Sequence, residues 1–299
     1  MIDAFTTRRF YAPRPMPDNP QAAPAHEFHL PTHTVLALHG RDALAFAQAQ
    51  FMNDVAALAD GGWQWNGWLT PKGRVIALFA LLRRDAETLW LLLPDVAATE
   101  LAGKLQRYVL RSKVALTPRD DLHASGAFAC PAAAAGNAYR VEGDVVELDM
   151  CGDGGPRCLR IGMSAAAADA DALARWNGAD LAHGLPRLPA SQAEQWTPQQ
   201  LSLDRLKAFS VKKGCYPGQE IVARTHFLGQ VKRGLALFDS DAMLDAGSEV
   251  ISGERAIGSI VSTSGNHVLA VLPREHDAAG LYAGGTILHA RPLHGGLQR

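Results

Sequence analysis

The run Val211-Lys-Lys-Gly-Cys-Tyr-Pro-Gly-Gln-Glu-Ile-Val-Ala-Arg224 has the residue types of a reactive thiol. Cys215 stands between Gly214 and the Pro217-Gly218 pair, neighbours that make a tight turn and leave a sulfur little cover. Lys212 and Lys213 precede it. The good helix formers of Gln219–Arg224 place it just ahead of a helix N-terminus. Ammonium groups and the positive end of a helix both favour thiolate, the form that acts as nucleophile and metal ligand. A free cysteine is otherwise a small buried hydrophobe, and the choice between the two rests on side-chain directions. Glu220 fits three uses: a helix-start carboxylate, a salt-bridge partner or a ligand contact. The other thiols, Cys130, Cys151 and Cys158, form no C-x-x-C pair. The Cys151-x6-Cys158 spacing matches no common zinc pattern, so no metal site is expected. Four thiols in 299 residues are no disulfide framework.

Other residues carry weaker signals. Asp54, at the end of a predicted helix, is either a cap or surface charge or an acid/base group. Lys72, Arg74, Arg107, Arg111, Lys113, Lys212, Lys213, Arg224, Lys232 and Arg233 are a patch for an anion if they converge, and solvated charges if they do not. Aromatic interleaving around Cys215 is limited to Tyr216 and Phe227, so direct binding of single-stranded RNA by stacking is not expected. Trp63, Trp65 and Trp68 alternate along a predicted strand and make one face rich in indole. That face is either a core or domain interface, or a wall for a flat heterocycle. His26, His29 and His33 have loose ligand-like spacing, but no second cluster closes a site, and they read as solvated. There is no phosphate-binding loop, no dinucleotide fingerprint, no H-E-x-x-H and no G-x-S-x-G elbow.

The elements that must position these residues follow from pattern. Apolar residues are 47% and charged residues 20%, which excludes wholesale disorder. The net charge of -1 excludes a globally basic nucleic-acid coat. No apolar stretch reaches 18 residues, so no membrane span is expected. No apolar run follows Arg8-Arg9, so the cytoplasm is the expected location. Residues 1–34 are dense in proline and read as an extended arm. Val35–Leu38 reads as a strand, and Asp42 caps a helix whose face is Leu44, Ala47, Phe51, Val55 and Leu58. Residues 63–69 and 74–82 are strands joined by a Thr70-Pro71-Lys72-Gly73 turn. Thr88–Leu93 is a strand, Asp95 caps a second helix through Val109, and Val114–Leu116 closes a βαβββαβ unit. Beyond a split near 120, Val145–Leu148 and Cys158–Ile161 are strand-like, and an Ala-rich helix spans 165–176. From 231 to 299 five short β-like pieces predict a small barrel. The fold class is α+β over 35–230 followed by β.

Lys213-Gly214-Cys215-Tyr216-Pro217-Gly218-Gln219-Glu220 resembles the K-G-C-Y-x-G-Q-E signature of the YgfZ family. These are folate-binding relatives of the glycine-cleavage T-protein, linked to iron–sulfur cluster assembly and repair and, in bacteria, to tRNA modification. Gly40-Arg-Asp-Ala-Leu, Gln48-Ala-Gln50, Asn53-Asp54-Val55, Pro71-Lys72-Gly73-Arg74 and Tyr108-Val-Leu-Arg-Ser-Lys-Val114 are similar to further family segments, as are Pro198-Gln199 and Leu203-Asp204. The resemblance implies a T-protein-like ring of three modules, ferredoxin-like α+β units followed by a β-barrel, around a cavity for tetrahydrofolate or a related reduced folate. It implies iron–sulfur client or assembly proteins as partners and Cys215 with Lys213 as the working pair. Gly214, Tyr216, Gly218, Gln219, Glu220 and Arg224 are the motif and folate-side residues it implies. The alternative is a folate-dependent aminomethyltransferase or demethylase. One departure stands out: where the family often carries an acid before a G-x-P element, Asp180-Leu-Ala-His-Gly-Leu-Pro186 has Ala182. Either Asp180, Glu194 or Glu220 substitutes for that acid, or folate binding is weakened or lost. A single motif thiol does not suffice for a cluster held inside one chain, which usually takes four protein ligands.

Overall fold

An apolar run without alternation, such as Val-Ile-Ala-Leu-Phe-Ala-Leu-Leu at 75–82, calls for a strand covered on both faces. The computed structural model shows one. It describes residues 26–227, 229, 231–277 and 280–299; most of the Pro-rich arm, residues 1–25, lies outside the described residues. After a short strand β1 (Glu27–His29), the chain runs through β2 (Thr34–His39), α1 (Ala43–Gln50), β3 (Trp63–Leu69), β4 (Val75–Arg83), β5 (Thr88–Leu93), α2 (Ala98–Val109) and β6 (Ala115–Pro118). From β2 onward this is the expected βαβββαβ order. The strands form an antiparallel sheet in the order β3-β4-β5-β2-β6. Leu36, Leu38, Phe79, Leu81 and Leu91 pack under α1 and α2, with Phe46, Leu101 and Leu105. The opposite face, with Trp63, Trp65, Leu78 and Leu92, packs against the rest of the protein.

The second sheet has β7 (His123–Ala127), β8 (Arg140–Glu142), β9 (Val145–Asp149) and β10 (Cys158–Gly162), and its order is β1-β7-β10-β9-β8. Helix α3 (Ala170–Ala182) lies against it through Trp176, whose ring meets Phe28 and Phe128. Helix α4 (Gln219–Phe227) leads into β11 (Arg233–Ser240), β12 (Glu249–Ser252), β13 (Arg255–Ser264), β14 (His267–Pro273), β15 (Leu281–Ala283) and β16 (Thr286–Arg291). These six close a barrel in the order β11-β14-β13-β12-β15-β16. The fold is thus α+β followed by a β-barrel. Strand β15 has no counterpart among the five expected pieces, being too short to carry a pattern.

Several local expectations need correction. Helix α1 stops at Gln50 rather than running to Leu58. Phe51 instead bridges Trp68, and the Met52 amide donates to the Gly67 carbonyl at 2.9 Å. Phe51, Val55 and Leu58 are buried all the same, so their spacing recorded burial without helix. Asp42 does not cap; its carboxylate accepts from the Lys113 amide at 2.6 Å. Asp95 does not cap α2 either. It pairs with Arg187 at 2.6 Å, while Thr34 Oγ1 accepts the Ala98 amide at 3.0 Å. The Ala-rich helix begins at 170, not 165, because Asp169 takes the N-cap and accepts from Ala172 N at 2.9 Å. Glu27–His29, expected in the extended arm, pair as an edge strand with β7. His33 is buried rather than solvated, and burial holds its pKa well below the ordinary histidine value. The indoles divide between faces. Trp63 and Trp65 share the inner face edge to face at 5.2 Å, while Trp68 points to the helix side and meets Tyr108.

Candidate functional site

The cysteine loop is positioned by its neighbours rather than by Cys215 itself. Ser210 N donates to the Met52 carbonyl at 2.9 Å, which ties the loop to the turn after α1. Lys213 is only 5% exposed. Its ammonium donates to the carbonyls of Gln48 (2.6 Å), Phe51 (2.5 Å) and Asn53 (3.1 Å), the carbonyls an ended helix and its following turn leave open. Burial pushes the Lys213 pKa down to about 8, against the opposing pull of Asp54. The same ammonium lies 4.9 Å from the Tyr216 ring. Tyr216 is buried, donates its hydroxyl to the Ser210 carbonyl at 3.1 Å, and is pushed up to about 12 by that burial. Gln219 Nε2 donates back to the Lys213 carbonyl at 3.0 Å. Gln199, in the lead-in segment, donates to the Val222 carbonyl inside α4 at 2.8 Å.

Gly218 has φ +79°, and a Cβ there would stand 2.6 Å from the Thr70 oxygen and 2.7 Å from Gly73 Cα. Only glycine allows this approach of α4 to the β3–β4 turn. Gly214 has open space around it. Between the two anchored stretches Gly214 and Cys215 are exposed. The result is an exposed thiol on a pinned loop. Glu220 and Arg224 lie on the exposed side of α4, next to exposed Ile221 and Phe227.

Lys213 has a different employment from the one expected of it: its ammonium is committed to three carbonyls. Tyr216 and Gln219 are likewise engaged in holding the loop. Asp54 accepts from Gln48 Nε2 at 3.0 Å and from Ala57 N, so it works as a turn cap. The basic residues do not form one patch. Lys213 is interior, Arg74 donates to the Gln195 carbonyl, and Arg233 donates to Ile257 on the barrel. Of the carboxylates considered as substitutes at Ala182, Asp180 is buried in an ion pair with Arg157 at 2.6 Å, while Glu194 and Glu220 are exposed. Among the described residues, no three His, Cys, Asp or Glu side chains converge to hold a metal ion.

The indole wall of Trp63 and Trp65 is already occupied. Trp65 Nε1 donates to the Leu297 carbonyl at 2.8 Å, and the Arg299 guanidinium lies 5.6 Å from the Trp63 ring. Sequence reasoning missed Leu297 and Arg299. One leucine and one arginine beyond the last strand carry no periodic signal. Asn53, which in the sequence stands out only within the Asn53-Asp54-Val55 segment, has a structural task. It donates to the Trp65 and Lys207 carbonyls and so joins the first sheet to the approach to the cysteine loop.

No family model matches the sequence. A tRNA-modifying protein YgfZ from Klebsiella pneumoniae is 30% identical over 255 residues, 78% of this chain and 76% of that protein. One from Cronobacter sakazakii is 29% identical over 217 residues, covering 66% of this chain and 65% of that protein. Among solved structures, the glycine cleavage system aminomethyltransferase T from Bartonella henselae aligns with a TM-score of 0.68 at 13% identity, covering 92% of this chain and 87% of that one. That likeness is one of fold.

Proposed function

The chain belongs to the YgfZ family, and on that premise we propose that it is a folate-binding accessory protein for iron–sulfur enzymes, and through them for tRNA modification, with Cys215 as its working thiol. One observation carries the reading: Cys215 is exposed while Lys213 and Tyr216 on either side are buried and bonded. A packed cysteine needs no such frame. What an exposed, fixed thiol offers an iron–sulfur client is a thiolate ligand for a cluster iron, with the thiol proton released to solvent. Lys213 is a positioning residue in this account. The cluster belongs to the client, and RNA is reached through the client.

Reduced folate belongs to the same reading. A pterin needs a flat apolar face with polar partners at its edge, and the Trp63 and Trp65 indoles, set edge to face, offer faces of that kind. In the fold described here Leu297 and Arg299 cover them, so the interior accepts no pterin until these two residues move. Aminomethyl transfer or demethylation also asks for a free acid/base group near those indoles. Asp54 and Asp180 are both already bonded, which favours the accessory role. No helix among the described residues is long and apolar enough to cross a membrane.

The test is complementation in a bacterium lacking its own YgfZ. Wild-type chain restores an iron–sulfur tRNA-modifying activity, and Cys215→Ala does not. Full restoration by Cys215→Ala would remove the thiol from the function.

A further inference from the structure

Residues 293–299 leave the last barrel strand half-buried, with Gln298 exposed, and send the Leu297 side chain into the core between the sheets. His294 N donates to the Ala182 carbonyl at 2.8 Å, and Arg205 holds the His294 carbonyl at 2.7 Å. Asp153 N donates to the Gly295 carbonyl, and Gly295 N returns a bond to the Asp153 carboxylate at 2.9 Å. Arg299 donates to the carbonyls of Asp149 and Cys151 at 3.0 and 3.1 Å. The segment is thus a strap fastened to the end of α3 on one side and to the β9–β10 connection on the other. One apolar anchor seats it: Leu297 is 1% exposed within the core that holds Trp63 and Trp65. Gly296 has φ +91°, and a Cβ there would stand 2.7 Å from Gly152 Cα.

Beside the strap lies a charge with unmet hydrogen-bonding capacity. Arg157 is 2% exposed and bonds Asp180 through Nη1, but its Nε and Nη2 have no hydrogen-bond partner. Its carbonyl accepts from Met150, the residue between the two carbonyls that hold Arg299. A buried guanidinium with open donors favours a ligand bearing acceptor atoms. The indoles of Trp63 and Trp65, both buried under the strap, favour a flat ring once they are uncovered.

We propose that the 293–299 strap is a displaceable plug of the indole-walled interior, and that a reduced folate enters only when the strap withdraws. The ring takes the place of Leu297, and the open donors of Arg157 become available to its acceptor atoms. This inference rests on the folate reading above and adds its regulation. An occupant that must leave before binding lowers apparent affinity by the fraction of molecules already open.

The test compares wild type, Gly296→Ala and a chain ending at Pro292. Gly296→Ala ejects the strap by a clash with Gly152 and leaves the indoles untouched. Two quantities are measured: tetrahydrofolate binding by calorimetry, and the ligand-free exchange rate of the Trp65 indole proton by NMR. Both variants are expected to bind tetrahydrofolate at least tenfold more tightly and to exchange that proton faster. The peptide Leu-His-Gly-Gly-Leu-Gln-Arg is expected to compete with tetrahydrofolate in the shortened chain. Equal tetrahydrofolate binding by all three proteins overturns the plug and leaves the folate reading standing. No binding by any of them, with faster exchange in the variants, overturns the folate reading and supports the plug. No binding and unchanged exchange overturns both. If the shortened chain fails to fold, Gly296→Ala carries the comparison.

Discussion

The two glycines that flank Cys215 are expected to behave oppositely when each receives a methyl group. Gly218→Ala places a Cβ 2.6 Å from the Thr70 oxygen, 2.7 Å from Gly73 Cα and 2.8 Å from Gly73 N. The turn it strikes cannot retreat cheaply. Thr70 N donates to the Arg74 carbonyl at 2.8 Å and Gly73 N to the Thr70 carbonyl at 2.8 Å. A left-handed residue with a Cβ costs about 1 kcal/mol, and forced overpacking adds about 1–3 kcal/mol. At roughly 2–4 °C per kcal/mol for a chain of this size, the melting temperature should fall by roughly 5–15 °C. Gly214→Ala meets nothing within 4 Å. Its cost should stay within about 0.5 kcal/mol, the ordinary range of a surface change. Scanning calorimetry of both variants beside wild type is the assay. A Gly218→Ala protein melting within about 2 °C of wild type, or a Gly214→Ala protein falling as far as Gly218→Ala, refutes the geometry assigned to the loop.

Three further outcomes are expected. Lys213→Met leaves the carbonyls of Gln48, Phe51 and Asn53 without their donor and should cost about 2 kcal/mol in urea unfolding; an unchanged midpoint would mean that the ammonium is no anchor. Asp180→Asn strands the Arg157 charge in a pair whose side chains are each 3% exposed, so a loss of about 3 kcal/mol is expected, and a neutral result would show that water reaches the site. His183 is held down to about 4, from an ordinary 6.5, by burial first, with Arg157 and His294 adding to it against a bond to the Ala179 carbonyl. Its unfolded form therefore binds the proton first. The stability it contributes is whole above pH 6.5 and is lost as pH falls through 6.5 toward 4, up to about 3 kcal/mol. His183→Gln should flatten that limb of the unfolding curve, and identical limbs in the two proteins would assign the loss elsewhere.

Much of this protein is legible along the chain. The βαβββαβ order, the Thr70–Gly73 turn and the strand-rich region after 230 follow from local periodicity and turn chemistry, which act over a few residues and leave their mark in residue type. The setting of Cys215 between Gly214 and Pro217-Gly218 marked an uncovered thiol for the same reason, and Cys215 is exposed. Long-range contacts decided the rest. Phe51, Val55 and Leu58 have helical spacing, yet Phe51 bridges Trp68 and the helix ends. Asp42 and Asp95 have the type of caps, but Lys113 and Arg187, distant in sequence, claim their carboxylates. Lys213 precedes the thiol by two residues and faces three carbonyls of another segment. Leu297 covers the Trp65 indole from 232 positions away. A side chain's type bounds what it can bond to, but which partner arrives is settled by the packing of whole sheets. No local pattern encodes that.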